Sequence, residues 1–185
     1  MKRASPETAA HAVGNTTEVC ILAGGLSTRM GRDKAHIHLN GRTLLSHVRT
    51  TARNLGHPVR VIRRDLVERC GPLGGVFTGL KSSRANAVLF LACDMPFVSV
   101  ELLRGLLKRL SSRQRAVFAT LDDVAGFPFV VRPSALEVVE GQISRKQFSI
   151  QKLATALEGR RWAVPRSRRG ELRNLNTPDD LRAVR

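Results

Sequence analysis

A short apolar run, Val19-Cys20-Ile21-Leu22-Ala23, stops abruptly at two adjacent glycines, Gly24 and Gly25. A run of this length without polar alternation fits a strand buried on both faces, and the glycines place a loop immediately after it. Such strands belong to parallel sheets with helices on either side, so this feature alone points to an α/β layout. The segments that follow agree with it. Leu44, Leu45, Val48, Ala52 and Leu55 share one helical face between Thr43 and Leu55, and Gly56 and Pro58 end the pattern.

Val59 to Ile62 reads as a second strand, and Gly71-Pro72 opens a helix with proline in its first turn. Residues 87–92 form the most apolar strand and end at Cys93-Asp94-Met95-Pro96. Ser99 caps a helix that turns Leu102, Leu103, Leu106, Leu107 and Leu110 inward and Arg104, Lys108 and Arg109 outward. Strands over 116–120 and 127–131, a helix over 149–158 capped by Ser149, and a helix start at 175–181 complete the pattern. The basic stretch Pro165 to Arg173 reads as a mobile loop. Alternation of this kind predicts a three-layer α/β/α domain with a mostly parallel sheet and right-handed crossovers. One domain is expected over 19–185, after a flexible tail over 1–18. Gly24 and Asp94 then fall beyond the carboxyl ends of strands, where such sheets bind ligands.

Composition narrows the function classes. The three cysteines, Cys20, Cys70 and Cys93, are scattered and lack C-x-x-C spacing, which indicates a reducing, cytoplasmic compartment and neither a disulfide framework nor a zinc site. No apolar run is long enough to span a membrane, and the first eighteen residues contain no secretory h-region. A formal net charge of +16 attracts polyanions, from nucleic acid to phosphorylated small molecules. With one Trp, no Tyr and basic residues not interleaved with aromatics, a base-stacking surface is poorly supplied, which argues against nucleic acid as the main partner. Of the histidines, only His36 and His38 are spaced to share a strand face, and they read as surface polar residues.

The chemistry concentrates in Leu22-Ala23-Gly24-Gly25-Leu26-Ser27-Thr28-Arg29-Met30-Gly31-Arg32-Asp33-Lys34. Glycines let backbone N–H groups approach phosphate oxygens, and Arg29 and Lys34 bring positive charge suited to a triphosphate. Gly31 is followed by Arg32 rather than by Lys-Ser/Thr, so this is not a Walker A loop, and no G-x-G-x-x-G occurs. Asp94, after a buried strand, can hold Mg²⁺ against phosphate oxygens, because Mg²⁺ needs few protein ligands. A turn or cap role is the alternative for a lone aspartate in that place.

The string L-A-G-G-x-S-x-R-M-G-x-D-K resembles the signature loop of the molybdenum cofactor guanylyltransferases, MobA-like members of the wider nucleotidyltransferase fold. Gly71-Pro72-Leu73-Gly74-Gly75 is similar to that family's G-P-L-A-G, Cys93-Asp94-Met95-Pro96 to its C-D-M-P, and Asn174-Leu175-Asn176-Thr177-Pro178-Asp179-Asp180-Leu181 to its closing N-x-N-T-P-x-D-L. The resemblance covers about residues 19–182. It implies a Rossmann-like nucleotidyltransferase domain that transfers GMP from GTP to the phosphate of molybdopterin and releases pyrophosphate, with Mg²⁺ bound by Asp94. Arg29 and Lys34 would hold the triphosphate, and Leu22, Ala23, Gly24, Gly25, Gly71, Pro72 and Leu73 would line the nucleotide. Asn174 and Asn176 would lie toward the acceptor. Asp65 stands where the family has an aspartate shortly before G-P-L-A-G. Between residues 35 and 70 the chain is shorter than the family pattern by about one helix and one strand. The high charge suits two phosphorylated substrates, with molybdenum enzymes or cofactor-biosynthesis proteins as possible protein partners. Two other readings stay open: transfer to another acceptor, such as a sugar phosphate, from GTP or CTP, and a non-catalytic relative that binds nucleotide or an acidic partner.

Overall fold

The computed structural model describes residues 16–24 and 37–184. Six strands form one sheet in the order β4-β1-β5-β7-β6-β8. In chain order they are β1 (Thr17–Leu22), β4 (Val59–Ile62), β5 (Ala87–Ala92), β6 (Ala116–Leu121), β7 (Val124–Val131) and β8 (Arg160–Ala163). A separate hairpin, β2 (His38–Leu39) and β3 (Arg42–Thr43), precedes helix α1 (Leu44–Arg53). β1 pairs in parallel with β4 and β5, β6 pairs in parallel with β8, and β7 runs against both its neighbours. The sheet is therefore mostly parallel, as the unalternated apolar strands predict.

Alternate residues of each strand feed two cores. Val19, Ile21, Leu89 and Leu91 meet α1 and α3 (Val100–Arg109) on one face. Cys20, Val88, Phe90, Phe118 and Phe129 meet α2 (Pro72–Lys81), α4 (Leu136–Ser144) and α5 (Ile150–Ala156) on the other. A third cluster of Leu39, Leu44 and Leu175 joins the β2–β3 hairpin and the start of α1 to the closing segment and α6 (Pro178–Arg182). The three-layer α/β/α expectation holds.

The crossovers are not uniform. The β4–α2–β5 and β5–α3–β6 connections step across the sheet in the same direction between parallel strands, yet α2 and α3 lie on opposite faces. They must therefore have opposite hands, and the expectation of right-handed crossovers throughout does not hold. With α3 beside α1, the other face is left clear for α4 and α5, which follow β7.

Thr43 and Ser99 cap α1 and α3, their hydroxyls each accepting from a backbone N–H three residues on at 3.1 Å. The β2–β3 turn uses Asn40 and Gly41, both at positive φ, and the β6–β7 turn uses Asp122 and Asp123, likewise at positive φ. That geometry matches the twist of a two-residue hairpin. Several elements depart from the sequence reading. β1 begins at Thr17, with Glu18 paired to Arg60 at 2.8 Å, and α4 and β8 have no counterpart in the expected pattern. Residues Arg166–Leu172, read as a loop, form a 3-10 helix. Arg109, expected to point outward, lies over the Trp162 ring at 4.0 Å and donates to the Gly105 carbonyl.

Candidate active site

The carboxyl ends of β1, β4 and β5 converge. Ala23 N donates to Ile62 O at 2.8 Å and Cys93 N to Leu22 O at 3.0 Å, so the segments leaving all three strands are tied together in one layer. Gly24 leaves this layer with almost no clearance, since a Cβ there would lie 2.8 Å from the Arg63 carbonyl oxygen. Any side chain at Gly24 would push β1 and β4 apart at the mouth of the site. Gly25, Arg29 and Lys34 lie outside the described residues.

Asp94 follows β5 and is half-buried, and its carbonyl accepts from Leu175 N at 2.9 Å. Leu175 is fully buried against Leu39 and Leu44. This leucine anchors the closing segment, and the exposed Asn174 and half-buried Asn176 flank it beside the Asp94 loop. Sequence order places these residues some eighty positions apart; the fold brings them together. A second tie comes from Glu171, whose carboxylate accepts from Ser99 N at 3.1 Å and from the Ser99 hydroxyl. Residues 94–99 are thus held at both ends by the segment 171–175. Glu171 carries no motif, and only its position just before N-x-N-T-P could have drawn attention to it.

The closing helix is capped as the sequence predicts. Thr177 accepts from Asp180 N, and Asp180 accepts from Asn176 N and Thr177 N at 2.8 Å each. The Asn176 N–H, followed by the Thr177 hydroxyl and N–H, holds the Asp180 carboxyl below the usual carboxylate range.

At the start of α2, Gly71 has φ 54 and ψ −144, a conformation suited to glycine. Pro72 is exposed, whereas the Leu73 side chain is fully buried in the core, which leaves only its backbone for a ligand. The Asp65 carboxylate rests over the first turn of this helix. A Cβ at Gly74 would lie 2.6 Å from Asp65 Oδ2 and 2.9 Å from the Val67 carbonyl oxygen, and one at Gly75 would lie 2.9 Å from Leu22 Cδ1. Leu22, Asp65 and the glycine pair therefore form one wall. Burial holds the Asp65 carboxyl above the ordinary carboxylate value.

Gly74 occupies the place of alanine in the family string, and the close loop explains why. Gly74→Ala should gain about 1 kcal/mol of helix propensity yet lose more, because the Val67 backbone cannot rotate away as a side chain could. A net destabilisation of about 1–2 kcal/mol is expected by urea unfolding.

The three cysteines are buried. Burial, reinforced by the Glu18 charge and opposed by Arg60, pushes the Cys20 thiol up to about 12, which leaves it protonated and inert. Among the described residues no group of three or more His, Cys, Asp or Glu is placed to hold a metal ion. His38 is exposed on β2, His47 contacts the Leu39 carbonyl at 2.9 Å, and His36 lies outside the described residues. Among the described residues no helix is long and apolar enough to cross a membrane.

A mostly parallel sheet between two helical layers, with a glycine-rich sequence leaving β1 and a carboxylate leaving β5, puts a ligand site at the carboxyl end of the sheet. Residues 19–162 match the MobA-like NTP transferase domain, and the chain belongs to that family. It is 33% identical to a molybdenum cofactor guanylyltransferase of Pseudomonas putida over 183 residues, covering 88% of this chain and 94% of the relative. It is 31% identical to a probable molybdenum cofactor guanylyltransferase of Opitutus terrae, covering 86% and 90%. The fold is similar to that of molybdopterin-guanine dinucleotide biosynthesis protein A from Archaeoglobus fulgidus, with a TM-score of 0.72, 23% identity, and coverage of 90% of this chain and 96% of that one.

Proposed function

We propose that the protein transfers GMP from GTP to the terminal phosphate of molybdopterin, with Mg²⁺ as the metal ion and pyrophosphate as the leaving group. The observation that carries this reading is the position of Asp94 beside the Leu22–Gly24 layer, with the asparagine segment fastened to its own carbonyl. The names of the relatives at 31% and 33% identity support guanylyl transfer.

The donor set fits the metal. Mg²⁺ takes one or two carboxylates and completes its shell with phosphate oxygens and water, so a lone Asp94 carboxylate suits it without a protein cage. When bound, Mg²⁺ offsets charge on the triphosphate and on the departing pyrophosphate. Arg29 and Lys34 add the remaining positive charge, and the backbone around Gly24 and Gly25 cradles phosphate oxygens. The acceptor phosphate is already an anionic nucleophile, so no general base is required, and catalysis consists of alignment and charge stabilisation. Asn174 and Asn176 hold the acceptor in line with the α-phosphorus. Buried thiols and a high positive charge fit a cytoplasmic enzyme that handles phosphorylated substrates and docks on proteins of molybdenum metabolism.

Asp65 supports guanine as the base. An ionised carboxylate only accepts hydrogen bonds, and the guanine edge presents two adjacent donors, N1–H and the 2-amino group, where adenine and cytosine present one amino group. Asp65→Asn should erase about tenfold or more of the preference for GTP over ATP and CTP, the worth of a charge-assisted bond. Because burial raises its pKa, Asp65 subtracts stability once the pH passes that raised value, so the variant should melt no lower than wild type at neutral pH. Lost selectivity in a variant of undiminished stability separates base recognition from a structural role.

The activity test is pyrophosphate release with molybdopterin and each of GTP, ATP, CTP and UTP. Release with GTP alone, dependent on molybdopterin, is expected. Release with CTP or with a sugar phosphate moves the assignment to a sister transferase. Nucleotide-dependent thermal stabilisation without turnover on any acceptor leaves a non-catalytic binding protein.

A further inference from the structure

The exposed side of α1 carries charge that the reaction above does not use. Arg49 and Arg53, one helical turn apart, and Arg63, just past β4, line a cavity of about 330 Å³ together with Thr43, Leu45, Ser46 and Thr50. No carboxylate lines it. Among the described residues none of these three arginines has an ion pair, whereas Arg60 on β4 is held by Glu18 at 2.8 Å. The sequence shows the same imbalance, with no Asp or Glu from Lys34 to Arg64. Three guanidinium groups around one cavity repel each other, and a bound anion removes that cost. Their planar forks match the oxygens of phosphate.

The remaining lining selects the kind of anion. Leu45 is the one apolar residue of the wall, it is buried, and no aromatic ring is present. A nucleoside base would find nothing to stack on, whereas a bare oligophosphate could use all three charges. Arg63 connects this cavity to the active site, because its carbonyl lies against Gly24 and the same residue lines the groove. We propose that the α1–β4 groove is a second anion site that receives pyrophosphate as it leaves the carboxyl end of the sheet. The choice of pyrophosphate rests on the nucleotidyl-transfer reading; the anion site itself does not.

The test is calorimetric titration of the full chain with sodium pyrophosphate, first alone and then with a non-cleavable GTP analogue filling the nucleotide site. Wild type should bind pyrophosphate in both conditions. The double variant Arg49→Ala/Arg53→Ala should weaken binding in the second condition by about tenfold or more, as loss of charge-assisted contacts implies, with the affinity for the analogue unchanged. A second double variant, Arg84→Ala/Arg113→Ala, removes the same charge elsewhere on the surface and should bind as wild type does. Pyrophosphate binding that disappears once the analogue is bound would overturn the proposal, and so would equal weakening in both double variants. Poly-glutamate that binds tighter than pyrophosphate through the same arginines would also overturn it, in favour of an acidic protein partner. If the analogue fails to bind, the guanylyl-transfer reading fails, and comparison of the two double variants with pyrophosphate alone still decides the groove.

Discussion

Asp94→Asn is expected to lower nucleotidyl transfer by roughly 10³-fold, the scale on which removal of a preorganised charge-stabilising group acts. The substitution keeps the shape of the side chain and leaves the backbone carbonyl that accepts from Leu175 N, so the 94–99 loop retains its anchor. In the proposed mechanism, what it removes is the negative charge that would place Mg²⁺ against the triphosphate. The loss should therefore fall mainly on kcat, and the thermal stabilisation by GTP should lose its dependence on Mg²⁺. Circular dichroism and the melting temperature without ligand should match wild type. An Asp94→Asn protein with near-normal turnover would remove Asp94 from the metal site and return it to the role of a turn residue.

The largest effect on stability is expected at Phe129. Its ring stacks on Phe90 at 5.3 Å and Phe118 at 4.9 Å between centroids, and Phe127 approaches it at 5.0 Å. β7 thereby joins β5 to β6 through side chains as well as through its ladder. Phe129→Ala opens a cavity among rings that belong to three different strands and cannot all close in together. A loss of about 3–5 kcal/mol is expected by chemical denaturation. A loss below about 1 kcal/mol would mean that the neighbouring rings collapse into the space.

The strands at 59–62 and 87–92 and the helices at α1, α2 and α3 were legible because apolar residues recur with clear periods and caps or glycines mark their ends. The same clarity failed at α4, where Gly141 and a weak apolar stripe blur the helical period, and at β8, an edge strand whose Arg160 and Arg161 are exposed. The β2–β3 hairpin was not expected, although Asn40-Gly41 is a two-residue turn signal that could have marked it. Asp122-Asp123 is a weaker one. The hand of the α3 crossover could not be read, because it depends on which face α4 and α5 occupy much later in the chain.

The site divides in the same way. Asp94 and the glycine loop announce themselves by residue type and by position after a buried strand. The roles of Gly74 and Leu175 do not, because each is defined by a partner distant in sequence or in a loop of irregular path. Arg109 shows how such contacts mislead: its position on the polar side of α3 is as expected, but Trp162 waits there on β8.

The fastening of residues 94–99 by Glu171 and Leu175 also bears on the order of assembly on the ribosome. Every strand of the sheet has been synthesised by Ala163, yet the residues that brace the Asp94 loop emerge afterwards. A nascent chain can therefore close its sheet while the proposed metal-binding loop at Asp94 is still unsupported, and competence should arrive as one late event when the closing segment docks.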